Sequence, residues 1–283
     1  MMVLLHPKDK YIQSLAVKAS CGSRYKIAWD QHVFKPNKLS VTSLVKRNFP
    51  AFNADAILAK MRSNKKFWLK KKSYRGKTDS DVKEMWKVGG DQARASGTLI
   101  HKQIEDYYKS RGVIVPTVQS QEFKQFIKYD DHVKAVKGWI PARAEWVVYA
   151  DQQHPLCGTI DMVYIDSKKM AKEPEGSGVL HLVIVDWKRV KAMKKWSQEN
   201  GSGVCCDVPN ANFFHYSLQL HIYKYILENF YTPFTYEGRT IDTIKVGSCW
   251  LVVFHPNKSV YSQYKCAGMT SVVTQLINGT KIN

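Results

Sequence analysis

The stretch VIVDWKR, residues 183–189, sets an acid and a base two positions apart at the end of a β-branched run. Such a run reads as a buried strand, and a strand alternates its faces with period two. Val183, Val185 and Trp187 therefore share one face, while Ile184, Asp186 and Lys188 share the other. Buried charges are costly unless paired, hydrogen-bonded or bound to a metal. Asp161, in GTID, stands on the strand before, with 24 residues between it and Asp186. Paired as a hairpin, the two strands bring both carboxylates to one end with Lys188 beside them. Two carboxylates and a lysine are a recurring divalent-metal arrangement. The oxygens hold Mg2+ or Mn2+, and the lysine orients water or offsets charge developing on a phosphodiester. Taken alone the pattern is loose, and an ordinary ion pair at a strand end explains DWK equally well.

Two helical segments flank this pair. SGTLIHKQIEDYY places His101 on a helix before the strands, with Glu105 one turn on. SLQLHIYKYIL places Gln219 and Tyr223 at i and i+4 on the helix after Lys188. With these pieces the sequence resembles the RecB-like branch of the PD-(D/E)XK nucleases. The matching residues are Gly97 and His101 (G-x-x-x-H), Gly158, Ile160 and Asp161 (G-x-I-D), Asp186, Trp187 and Lys188 (D-W-K), and Gln219 and Tyr223 (Q-x-x-x-Y). They follow the family's order over about residues 96–225, and SVTSLVKRNFPAF (40–52) looks like the lead-in many members carry.

The resemblance implies a restriction-endonuclease-like core, a mixed sheet flanked by helices. It implies that His101, Asp161, Asp186 and the Trp187 backbone carbonyl ligate the metal, with Lys188 as catalytic lysine. Gln219 and Tyr223 would line the site and touch the DNA strand. Glu105 and Glu145 are read as supporting the ligands. For Glu145, a second metal's ligand and a surface strand acid stay open. One subgroup of the branch carries an iron–sulfur cluster, but here only Cys249 and Cys266 lie downstream of the helix, far apart, so no cluster is expected. There is no G-x-x-x-x-G-K-[ST] phosphate loop either. The implied plan is a stand-alone nuclease similar to mitochondrial genome-maintenance and phage-type exonucleases.

The elements around these motifs follow from periodicity. Residues 39–77 read as mostly helical, with Thr42 or Ser43 as cap and Pro50 as an interruption. Helices are expected at 91–110, 119–137, 212–230 and 268–279, and strands at 142–150, 157–166, 181–189, 246–255 and 259–266. The class is mixed α/β, divided into a basic, mainly helical N-terminal region (1–95) and a nuclease core (96–283). Trp139, Trp146 and Trp250 sit in apolar runs and read as core. His154, His181, His215, His221 and His255 lack partner patterns and read as packed or surface histidines.

Charge points to a polyanionic partner, with an anionic membrane surface as the rival to nucleic acid. The formal net charge is +19, and residues 1–95 hold 21 Lys/Arg against 7 Asp/Glu. A polyanion fits that surface, and nucleic acid is the commonest. Within 62–77 there are eight Lys/Arg and no acid, interleaved with Phe67, Trp68 and Tyr74. Bases stack on such rings while cations follow phosphates, so Trp68, Lys70, Lys71 and Lys72 are expected to grip DNA. No apolar run is long enough to span a membrane, and the six cysteines contain no CxxC pair. An intracellular setting, cytoplasm or nucleus/nucleoid, is expected, with organelle targeting open. The expected activity is a Mg2+- or Mn2+-dependent deoxyribonuclease, an exonuclease on single-stranded or end-bearing DNA in replication, repair or recombination. An endonuclease, an RNA-processing nuclease and a catalytically silent DNA-binding scaffold are the alternatives.

Overall fold

The computed structural model describes residues 4–14, 25–29, 32–33, 39–64, 68, 71–151 and 153–280, with side chains placed for 4–9 and for those from 40 onward. Cys21, Phe67 and Lys70 lie outside the described residues. Near the N-terminus, where mainly helix is expected, a small antiparallel sheet joins β1 (Ile12–Ser14), β2 (Tyr25–Trp29) and β3 (His32–Val33). Next, β4 (Leu39–Ser40) leads into α1 (Val41–Arg47). The cap of α1 is Ser40, not Thr42 or Ser43: its hydroxyl accepts from the Ser43 N–H at 3.1 Å. Pro50 separates α1 from α2 (Ala54–Ser63).

The helix α3 (Asp79–Lys109) starts well before the expected residue 91. A capping box begins it: the Thr78 hydroxyl accepts from Asp81 N–H at 3.2 Å, and the Asp81 carboxylate accepts from Thr78 N–H at 2.8 Å. From there no side chain is buried between Val82 and Ile100, so the apolar period that marks a packed helix is missing. This helix runs unbroken through residues 95 and 96, where the sequence reading divides two regions. After it come α4 (Gln121–His132), then the antiparallel strands β5 (Trp139–Tyr149), β6 (Leu156–Asp166) and β7 (Val179–Arg189). The remaining elements are α5 (Asn212–Phe230), a hairpin of β8 (Phe234–Tyr236) and β9 (Arg239–Ile241), then β10 (Thr243–Phe254), β11 (Ser262–Lys265) and α6 (Thr270–Asn278).

The architecture is a mixed α/β fold with a central sheet flanked by helices. Its strand order is β11-β10-β7-β6-β4, with β5 also paired to β6. β10 runs parallel to β7, which requires the crossover that α5 supplies. Period-two alternation holds along β7. Leu180, Leu182 and Ile184 pack with α1, α5 and α6, while Val183, Val185 and Trp187 pack with α3 and α4. Val41, Leu44 and Val45 of α1 belong to the first of these cores, as does Leu4, so the N-terminal region shares the main core. No described helix is long and apolar enough to cross a membrane.

The N-terminal segment is tied to β5: Leu4 N–H donates to Ala142 O at 3.2 Å, Arg143 donates to Leu4 O at 2.8 Å and Trp146 Nε1 donates to Asp9 Oδ1 at 3.1 Å. Its buried His6 donates Nε2–H to Tyr231 O at 3.0 Å and accepts Lys8 N–H on Nδ1 at 3.1 Å, which uses both nitrogens of the neutral ring. Burial, opposed by the Tyr231 carbonyl, lowers the His6 pKa to about 4. The unfolded chain therefore takes a proton below about pH 6.5 that the folded chain refuses until about pH 4. Stability from this group is complete above that window and is lost as pH falls through it. The wild-type melting temperature should drop more steeply from pH 6.5 to 4 than that of His6→Phe. Parallel slopes would contradict this placement.

Candidate metal centre

The centre is built where two strands part. β6 and β7 are paired from Ile165↔Leu182 to Met162↔Val185, and there the ladder ends. Further along, β4 lies beside β6 instead, at Leu156 and Cys157. The next opposed positions would be Asp161 and Asp186. With the ladder ended, the Trp187 N–H is buried without a strand partner, and Asp161 Oδ2 accepts it at 2.8 Å. A buried backbone donor left unpaired is costly, so this bond fixes the Asp161 rotamer as well as the fork. Ile160 packs in one core and Met162, two residues on, in the other, so β6 turns over at Asp161.

On the outer side of β6, the β5 pairs Ala144↔Met162 and Trp146↔Ile160 set Glu145 opposite Asp161. Its φ is 47°, in the left-handed region that non-glycine residues adopt only under constraint. From α3, whose Ile100 and Ile104 are buried against the sheet, His101 reaches into the fork. Its Nε2 lies 3.0 Å from Trp187 O, and its Nδ1 lies 3.6 Å from Glu145 Oε1 and 3.7 Å from Asp161 Oδ2. One ligand atom from each of His101, Glu145 and Asp161 falls within 4.8 Å of the others. One imidazole nitrogen and two carboxylates match the donor preferences of a divalent cation, so these residues fit a metal.

Electrostatics agree with that use. Burial alone would lower the His101 pKa, but the Asp161 charge and the nearby Glu145 carboxylate outweigh it and push it up to about 9. The fork thus draws positive charge. Asp186 is 2% exposed and forms an ion pair with Lys188. Burial first, then the Asp161 charge, raise the Asp186 carboxyl above the ordinary range, against the pull of Lys188. The ammonium of Lys188 is held above its ordinary range: burial opposes this, and the Asp186 charge overrides it. That ammonium also sits 4.8 Å from the centre of the Tyr216 ring.

The three-residue group and the Asp186–Lys188 pair are therefore neighbours. The Asp186 carboxylate pairs with Lys188 and is not one of the three grouped residues. A cavity of about 420 Å3 opens over the group, with Arg94, Gly97 and Lys102 among its lining. A Cβ at Gly97 would meet nothing within 4 Å, so no close approach demands glycine there. Glu105 lines the same cavity, but its carboxylate is engaged by Lys102 at 3.5 Å and by Lys109.

Gln219 is half-buried and donates to the Tyr223 hydroxyl at 3.3 Å. Tyr223 is 2% exposed and closed off from solvent. A Cβ at Gly158 would stand 2.6 Å from that hydroxyl and 2.7 Å from the ring. The glycine thus lets α5 approach β6 beside the fork. Trp68 is half-buried, with the Arg62 guanidinium 4.2 Å from its ring centre and Tyr74 at 5.6 Å, while Lys71 and Lys72 are exposed. None of the other described histidines joins the metal group. His154 pairs with Asp151 at 2.9 Å and His181 with Glu173 at 2.5 Å. Trp139 and Trp146 are buried, and Trp250 is half-buried. Sequence reasoning missed Tyr216, whose only signal is its place three residues before Gln219 on one helix face.

No protein-family model matches the chain, and no curated protein matches it. Among solved structures, a crystal structure of SSO0001 is 13% identical over 88% of this chain and 77% of that one, with a TM-score of 0.32. At that level nothing follows for fold or function.

Gly158→Ala should displace the Tyr223 ring, because the new methyl cannot coexist with it at 2.6 Å. We expect a destabilisation of about 1–3 kcal/mol by chemical denaturation, relieved in part by Tyr223→Leu in the same chain. A Gly158→Ala variant as stable as wild type would contradict the close approach of α5.

Proposed function

We propose that the chain is a metal-dependent deoxyribonuclease of the RecB-like PD-(D/E)XK type, acting as an exonuclease on single-stranded or end-bearing DNA. One observation carries the reading. Four segments far apart in sequence supply His101, Glu145, Asp161 and the Trp187 carbonyl to one fork, beside the Asp186–Lys188 pair.

His101, Asp161 and Glu145 would hold Mg2+ or Mn2+, and the resemblance adds Asp186 and the Trp187 carbonyl. Such an ion, when bound, polarises a phosphodiester and lowers the pKa of its water. The chain's own part is positional. Asp161 keeps the fork open through the Trp187 N–H, and Asp186 keeps Lys188 charged where negative charge develops on the scissile phosphate. The basic surface, including Lys71 and Lys72, holds the flanking phosphates and makes binding salt-dependent. With Arg62 over the Trp68 ring, that segment suits phosphates better than bases.

End-labelled DNA should be degraded with Mg2+ or Mn2+ and left intact in excess EDTA, and Asp161→Ala should be inactive. Lys188→Ala should lower turnover by about 10²–10³-fold while calorimetry still shows Mn2+ binding. Its fold should survive, because the raised Asp186 carboxyl accepts a proton when its partner goes. Full activity in EDTA, or near-normal turnover in Lys188→Ala, would refute the reading. Closed single-stranded circles should resist cleavage that destroys the linear form, and equal rates would remove the exonuclease claim alone.

A further inference from the structure

Directly after Lys188 the chain runs RVKAMKKWSQEN, residues 189–200, and crosses to the start of α5. Trp196 in this loop is 71% exposed, and none of the described aromatic rings covers it. A tryptophan left so open forgoes the burial that its area would otherwise gain. Lys191, Lys194 and Lys195 around it are exposed, and none of them has a described acid within 4 Å.

The loop is fixed on both sides of the ring. Upstream, Asn212 at the start of α5 donates to Ala192 O at 3.1 Å and accepts from Lys194 N–H at 2.8 Å, and Phe213 N–H donates to Lys194 O at 3.2 Å. Lys195 lies over the rings of Phe213 at 4.7 Å and Tyr264 at 5.1 Å. Downstream, Lys60 of α2 donates to Gln198 at 2.9 Å, and Asn210 N–H donates to Glu199 O at 2.8 Å. These ties also fix the distance to the fork. Asn212 stands four residues, about 6 Å along the helix axis, from Tyr216, whose ring touches Lys188.

We propose that this loop is a subsite for an unpaired nucleobase of single-stranded DNA, with Trp196 as the stacking surface and Lys191 and Lys194 on the neighbouring phosphates. The proposal rests on the nucleic-acid reading of the fork and adds to it a specific register. The strand crosses Trp196 a short way from the Asp186–Lys188 pair. Stacking is tolerant of base identity, because every base has a π-face, and it is denied to bases held inside a duplex. The backbone on both sides of the ring is already held, so little loop-ordering cost falls on binding.

The test measures binding in EDTA, where cleavage is absent, using fluorescence anisotropy of a labelled single-stranded oligonucleotide with the full chain. Trp196→Ala should weaken binding about 5- to 100-fold, Trp196→Phe should retain most of it, and binding to a blunt duplex should be nearly unchanged. An abasic nucleotide stepped along the strand should cost the wild type a similar factor at one position and cost Trp196→Ala nothing there. Equal abasic penalties in both proteins, or a Trp196→Ala affinity within twofold of wild type, would overturn the subsite. Metal-dependent cleavage is scored separately on the same proteins. Loss of the abasic coupling with cleavage intact removes only the subsite. Coupling without any cleavage removes the nuclease reading and keeps the subsite.

Discussion

The hydrogen bond from the Trp187 N–H to the Asp161 carboxylate is the constraint on which the site depends. Strands β6 and β7 would continue as a ladder if nothing replaced the pairing lost beyond Met162 and Val185. A side-chain acceptor there satisfies the donor, so the strands separate without leaving a buried group unpaired. The opening leaves the Trp187 carbonyl facing His101, and Glu145 on β5 is held opposite Asp161. A backbone in the left-handed region at Glu145 is the local strain this arrangement carries.

Charge balance follows from the same geometry. Two carboxylates at the fork and the buried Asp186 nearby form a concentration of negative charge. Without a metal, His101 and Lys188 are the cations that answer it, and each holds its proton more tightly than usual. The Asp186 carboxyl is raised because it is buried and lies near the Asp161 charge. A site poised this way favours a compact dication over neutral ligands.

Much of this was legible in sequence because it depends on local period. The β-branched run before Asp186 marks β7 and correctly assigns its two faces, and the apolar spacing of 212–230 matches α5. His101, Asp161 and Trp187, which the resemblance grouped with Asp186, lie side by side in the structure. Other features escaped for physical reasons. The first half of α3 buries almost nothing, so its start was written only in the Thr78–Asp81 cap. Ser40 caps α1 because β4 ends there, which composition does not reveal. Glu145 could not be told from a surface strand acid, since its place depends on pairing with β6 and on one unusual φ. Trp196 carried a signal, lysines around a tryptophan just past DWK, but exposure had to be seen before it meant anything.

The most direct test of the central claim is anomalous diffraction at the manganese edge from crystals soaked in Mn2+. The account predicts a peak within ligand distance of His101, Glu145 and Asp161, lost in Asp161→Asn crystals of the same form. Manganese bound elsewhere, with the fork empty at concentrations that support full activity, would contradict it.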